Sequence, residues 1–233
     1  MACNYAIIVA GGTGTRMGTD TPKQFLPLAG LPVMMHTIRA FHSSRTAPQI
    51  ITVIHPALHN QWSALCKTHG FDIPHTVVAG GSTRFESVKK GLSAIASLSA
   101  VPTTGSIIAV HDAARPLIDP ELIDRTYRQA AITGAAALAL PATDSVRLVS
   151  GNGAKNNGYP RTKVYLMQTP QTFRGDILYD AYRQADNNSF SDDASVVEKK
   201  GHPVTLVDGD TRNIKITFPH DLAIAEILLQ QHT

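Results

Sequence analysis

The chain has 233 residues, 43% hydrophobic and 17% charged, with a formal net charge of +3; this suits one sizeable core, and so mild a charge without a basic run argues against nucleic acid as a partner. No signal-type segment opens the chain and no apolar stretch approaches a membrane span, so the expectation is a soluble cytoplasmic protein with no membrane partner. Cys3 and Cys66 lack metal-type spacing, which fits a reduced compartment and leaves one disulfide open.

Strand-like and helix-like segments alternate. Tyr5–Ala10, "YAIIVA", is a β-branched apolar run and predicts an interior strand. A helix follows at Pro32–His42, a strand at Ile50–Ile54, a helix at Ala57–His69, a strand near Thr76–Ala79 and a helix at Arg84–Leu98. "IIAVHD" (Ile107–Asp112) predicts a strand, "PELIDRTYRQAA" a helix and "GAAALAL" a buried strand. Such alternation implies an α/β fold, a mainly parallel sheet with helices on both faces.

After Pro141 the pattern changes. "PATDSVRLV" and "KVYLMQ" read as strands separated by the polar stretch "SGNGAKNNGY", which predicts a protruding β-hairpin arm from about Ala142 to Gln168. A lone two-stranded hairpin is marginal in water, so packing against a second subunit is expected. Helices at Gly175–Ala185 and Ser191–Lys199 then precede the strand "PVTLVD", the string "NIKIT" and a closing helix from Pro219. Ser191 suits an N-cap, with Asp192 and Asp193 in the first turn. The whole reads as a single domain carrying an arm.

The first strand runs into "GGTGTRMGTDTPK". A dinucleotide fingerprint would need a third glycine where Met17 stands, and a Walker-type loop would need Gly-Lys-Ser/Thr where Gly18-Thr19-Asp20 stands. What remains is Gly11, Gly12, Thr13 and Gly14 with Arg16 and Lys23. Backbone N–H donors and two cations suit a nucleoside triphosphate. The plainer reading is a tight strand-to-helix turn with two solvated cations.

In open α/β sheets ligands sit beyond the carboxyl ends of strands. "AGGSTRFESV" brings Gly80, Gly81, Arg84 and Ser87 to that rim, "VHDAARP" brings Asp112, Ala113 and Arg115, and "DGDTRNIKIT" brings Lys215. Asp112 is a candidate for Mg²⁺, because a triphosphate usually needs a hard cation; a helix or strand cap is its plainer role. Arg115 suits a phosphomonoester or a pair with Asp112, and His111 reads as a packed strand residue. No Ser-His-Asp set and no Cys cluster stands out. A phosphate monoester has a second pKa near ~6 and is a nucleophile without a general base, so nucleotidyl transfer to such a group asks for cations and alignment instead.

The strings "AGGTGTRMGTDTPKQF", "GGSTRFESV", "HDAARP", "QTPQTF", "SDDAS" and "NIKIT" resemble, in order and over about Ala6 to Ala225, the signatures of the 2-C-methyl-D-erythritol 4-phosphate cytidylyltransferase family. The resemblance implies a Rossmann-like nucleotidyltransferase fold, CTP and a polyol phosphate as substrates, Mg²⁺ dependence and a homodimer joined through the arm. By that resemblance Arg16, Lys23 and Lys215 are the catalytic cations. Ala10, Gly11, Gly12, Gly81, Ser87 and Ala113 grip the nucleotide, with Thr13, Gly14 and Arg84 in the same two loops. Asp112, Arg115, Ser145, Arg161, Thr169 and Ser191 face the acceptor, Arg161 and Thr169 completing a pocket shared with the partner. Ser145 and Ser191 stand where threonine is common, which keeps the hydroxyl and loses a methyl. Two alternatives remain at this level: the sister family acting on ribitol 5-phosphate, which shares the nucleotide half, and a non-catalytic nucleotide-binding regulator on the same fold.

Overall fold

The computed structural model describes residues 3–11, 21–98, 105–187 and 190–231. Gly12, Thr13, Gly14 and Arg16 lie outside the described residues. The first apolar run forms β1 (Asn4–Ala10). Its neighbouring Ile7 and Ile8 are both fully buried because they point into two different cores, one on each face of the sheet.

A two-stranded turn, β2 (Pro27–Leu28) with β3 (Leu31–Pro32), leads into α1 (Val33–Ser43). Then come β4 (Gln49–Ile54), α2 (His59–Thr68), β5 (Thr76–Ala79), α3 (Arg84–Leu98), β6 (Ile107–Asp112), α4 (Pro120–Thr133) and β7 (Ala135–Pro141). The second half contributes β8 (Val146–Ser150), β9 (Lys155–Tyr159), β10 (Tyr165–Arg174), α5 (Gly175–Ala181), α6 (Asp193–Lys199), β11 (Thr205–Asp208) and α7 (Pro219–Gln230). The main sheet has the order β11-β7-β10-β6-β1-β4-β5. Neighbours are parallel except at β10, which runs antiparallel to both β6 and β7. Thus the expected mainly parallel α/β sandwich is found.

Helices α1, α2 and α4 cover one face through Met34, Ile38, Phe41, Trp62, Ile123 and Tyr127. Helices α3, α5 and α6 cover the other through Val88, Leu92, Ile95, Leu178 and Val197. α4 illustrates how sequence sets a boundary: Asp119 accepts from the Glu121 N–H at one end, Pro120 opens the first turn, and Gly134 closes it at φ 89°. Among the described residues no helix is long and apolar enough to cross a membrane.

The arm is built differently from the expectation. β8 pairs with β9, Val146 opposite Tyr159 and Ser150 opposite Lys155, so "KNNGY" from the polar stretch is itself the return strand. The turn between them holds Gly151, Asn152 and Gly153, all at positive φ, a conformation glycine and asparagine take with least strain. "KVYLMQ" instead enters the main sheet, where Tyr165 lies opposite Pro141 at the start of β10. Hydrophobic alternation marked "KVYLMQ" as a strand but could not say which strand it would pair with. A second correction concerns α6: its cap is Asp192, which accepts from Ser195 N–H while the Ser195 hydroxyl accepts from Asp192 N–H, and not Ser191. α5 also ends at Ala181, short of the expected Ala185.

Candidate active site

Ala10, Ile54, Ala79 and Asp112 stand at the carboxyl ends of adjacent parallel strands. The segments leaving those ends enclose a cavity of about 260 Å³ lined by Ala10, Gly11, Lys23, Gly81, Arg84, Ser87, Asp112, Ala113 and Lys215, among others. Ser87 organises one side: its hydroxyl donates to Thr83 O and accepts from Gly81 N–H. A Cβ on Gly11 or Gly80 would stand 3.3 Å from that hydroxyl, and one on Gly81 would run into Glu86 at 2.3 Å. Lys23 donates to Ile216 O at 2.7 Å, which ties the segment after the first loop to "NIKIT". Ala113 is buried, with its N–H on Val9 O and its carbonyl accepting from Thr37.

Asp112 is the centre of charge. Lys215 Nζ lies 2.8 Å from one carboxylate oxygen, Arg84 Nε 3.5 Å from the other, and Arg115 Nε 3.8 Å away. Burial alone would favour the neutral acid, yet Arg84, then Lys215 and Arg115, outweigh it and hold the carboxyl well below the usual carboxylate range. Asp112 is therefore no helix or strand cap. Arg115 makes its shorter contact elsewhere, donating to Asn213 O at 2.7 Å; burial lowers its pKa, with Asp112 opposing. His111 is fully buried against Phe41, and burial pushes it down to about 3. Its ring contacts the Thr169 hydroxyl and Arg115 O. It is a packed strand residue, as its position suggested.

A second cavity of about 270 Å³ adjoins the first and shares Arg84, Asp112 and Lys215 with it. Its own walls are Arg115, Met167, Gln168, Thr169, Gln171, Ser191 and Asp192. Thr169 accepts from Asp112 N–H at 3.1 Å, so β10 holds the Asp112 backbone at the end of β6. Ser145 and Arg161 are exposed on the arm and line neither cavity; Arg161 donates to Thr143 O instead. Of the expected site residues in the described chain, all but those two meet around the paired cavities.

The model of the 2-C-methyl-D-erythritol 4-phosphate cytidylyltransferase family matches residues 4–231. The chain belongs to that family. It is 46% identical over 226 residues to the enzyme of that name from Porphyromonas gingivalis, covering 97% of each chain, and 43% identical over 227 residues to that from Bacteroides fragilis, covering 97% and 100%. Among solved structures, the 4-diphosphocytidyl-2C-methyl-D-erythritol synthase of Anaerococcus prevotii superposes with a TM-score of 0.81 at 27% identity, over 98% and 96% of the two chains. The Thermus thermophilus cytidylyltransferase gives 0.74 at 30% identity, over 99% and 100%.

For a cytidylyltransferase of this family, the residues that sequence reading left out are those behind the rim. Gln24 is buried and donates to Ala10 O at 2.9 Å, holding the end of β1. Gln168 and Asn213 join β10 to the "NIKIT" segment, Gln168 donating to Asp210 O and Asn213 to Thr169 O. Asp193 is fully buried and grips Arg84 with both oxygens, at 2.9 and 2.6 Å. One signal was present: Asp193 shares a helical face with Val196 and Val197, and an acid on an inward face calls for a buried partner.

Proposed function

We propose that this chain transfers a cytidylyl group from CTP to the phosphate of 2-C-methyl-D-erythritol 4-phosphate and releases pyrophosphate. The observation that carries this reading is the pair of adjoining cavities that share Arg84, Asp112 and Lys215. One brings Gly11 and Gly81 beside Lys23, Arg84 and Lys215, which suits a nucleotide's phosphates; the other has hydroxyl, amide and guanidinium groups suited to a polyol phosphate.

An acceptor phosphate oxygen attacks the α-phosphorus, the bond to the bridging α–β oxygen breaks, and pyrophosphate takes the electron pair. No proton need leave the nucleophile. His111, with no exposed surface and pushed down to about 3 by burial, is too weak and too enclosed to serve as a base for it. Lys23 and Lys215 neutralise charge on the triphosphate and transition state, together with Arg16, and Arg115 draws the acceptor phosphate to the shared wall. Asp112 would hold Mg²⁺. Its two carboxylate oxygens already face Lys215 and Arg84, so a cation would share the carboxylate with them and would depend on substrate phosphates for further ligands. When bound, that cation supplies charge neutralisation along the polyphosphate.

A homodimer through the arm belongs to the same proposal. Leu148, Val149 and Tyr159 are exposed on β8 and β9, and Ser145 and Arg161 line neither cavity of their own chain. A cytoplasmic location fits the free Cys3 and Cys66. The test is Mg²⁺-dependent pyrophosphate release from CTP with methylerythritol 4-phosphate and, separately, ribitol 5-phosphate. Strong preference for the first is expected; preference for the second would move the acceptor, and silence with both despite tight CTP binding would remove catalysis.

A further inference from the structure

Arg84 is placed unusually for a cation beside a phosphate cavity. Its Nη1 and Nη2 donate in parallel to Asp193, a residue with no exposed surface, while its Nε faces Asp112. Asp193 also accepts from the Tyr182 hydroxyl. The Tyr182 ring in turn stacks on Phe85, the residue after Arg84, with centroids 4.6 Å apart. The start of α3, the end of α5 and the start of α6 are thereby drawn to one point.

The capping of α6 does not need this carboxylate. Asp192 closes the helix with Ser195, whereas Asp193 turns inward. Nor is a buried ion pair an efficient source of stability, since desolvation offsets much of the attraction and an apolar pair of similar volume does as well. What the arrangement does provide is direction. A bidentate carboxylate–guanidinium pair fixes the plane of the arginine, and here that plane puts Nε toward the Asp112 carboxylate at the wall shared by both cavities.

We infer that Asp193 and Tyr182 are positioning residues for the transferase reaction, holding the Arg84 guanidinium so that Arg84 in turn fixes Asp112 between donor and acceptor. The inference rests on the cytidylyltransferase reading of the paired cavities. Neither Asp193 nor Tyr182 touches substrate; both act through Arg84.

The experiment is a double-mutant cycle read in kcat and both KM values, with an independent spectroscopic readout. Asp193→Asn should lower kcat/KM on the order of 10- to 100-fold, largely in kcat, and Asp193→Glu should recover part of the loss. In an Arg84→Ala background the same Asp193→Asn change should cost less than about 3-fold, because its target is gone. Tyr182→Phe keeps the ring on Phe85, and so guards against a folding defect; it should give a smaller loss, ~5-fold, also absent without Arg84. An equal cost of Asp193→Asn with and without Arg84, or none at all, overturns the inference. In 15N-arginine-labelled protein the Arg84 Nε–H resonance, assigned by its loss in Arg84→Lys, should be sharp and protected in the parent chain and averaged in Asp193→Asn; an unchanged resonance also overturns it. That readout needs no turnover. A parent chain silent with both acceptors that still loses the resonance in Asp193→Asn would defeat the cytidylyltransferase reading and the catalytic half of the inference, and leave the Asp193–Arg84 hold standing.

Discussion

Lys215 and Asp112 meet at 2.8 Å although one follows the last strand of the main sheet and the other ends β6. Their contact joins the "NIKIT" segment to the rim, alongside the Ile216 N–H on Ala114 O and the Lys23 bond to Ile216 O. Three segments that would otherwise end independently are thus locked around one carboxylate.

Asp112→Asn removes the anion from among Arg84, Lys215 and Arg115 and leaves three cations facing one another. Turnover should fall by two orders of magnitude or more, and unfolding stability by about 1–2 kcal/mol, less than for a fully buried pair because Lys215 and Arg84 are partly exposed. Steady-state pyrophosphate release and urea denaturation read the two effects; wild-type values in both would remove Asp112 from the centre of the site.

Lys23→Ala should cut kcat on the order of 100-fold or more, with modest loss of CTP affinity, because a cation aimed at developing charge matters most in the transition state. Kinetics combined with CTP titration separate these. Near-normal turnover would end the catalytic role.

Gly81→Ala and Gly11→Ala form a matched pair. At Gly81 the new methyl meets Glu86 Cβ at 2.3 Å and its backbone carbon at 3.0 Å, so helix α3 must shift; at Gly11 it meets, among the described residues, only the Ser87 hydroxyl at 3.3 Å. Gly81→Ala should cost about 1–3 kcal/mol of stability as an overpacked site and weaken CTP binding markedly, and Gly11→Ala should be milder in both. Equal effects in thermal melts and CTP titrations would contradict the geometry.

Acid sensitivity has a predicted sign. Burial holds His111 at about 3 in the folded chain, against an ordinary 6.5. Below pH 6.5 the unfolded chain takes up a proton that the folded chain refuses, so stability is complete above that pH and declines as the pH falls toward 3. By pH 5 the loss is about 2 kcal/mol. Asp112, also depressed, adds its own loss only below its ordinary carboxylate range. Urea unfolding of metal-free protein in EDTA should show a shallower decline between pH 6.5 and 5 for His111→Asn than for the parent; parallel profiles would rule the histidine out.

The proposed dimer predicts that the chain runs as a dimer in light scattering and that replacing Leu148 and Val149 on the arm with aspartate yields a monomer, since both side chains are more than half exposed in a single chain. Arg161→Ala should raise the acceptor KM and leave CTP affinity near normal. A chain that stays dimeric with both aspartates, or an unchanged acceptor KM, would argue against the shared pocket.

Much of this protein was legible locally. Apolar runs such as Tyr5–Ala10 and Ile107–Asp112 announce buried strands because their periodicity and β-branching are properties of the chain itself. The glycines and cations at the strand ends announce a phosphate site for a similar reason, since the sheet's topology sends all parallel strand ends to one rim. Tertiary structure decided the rest. "KVYLMQ" could have paired within the arm, and it pairs with β7 instead, opening a strand whose later residues Gln171–Arg174 reach β6, while "KNNGY" needs only a tight turn to fold back on β8. Asp193 could have served the α6 dipole, and it grips Arg84 because the packing of α3, α5 and α6 buries it beside a guanidinium. A charge that must leave water takes the partner that folding brings to it, and distance along the chain does not say which partner that is.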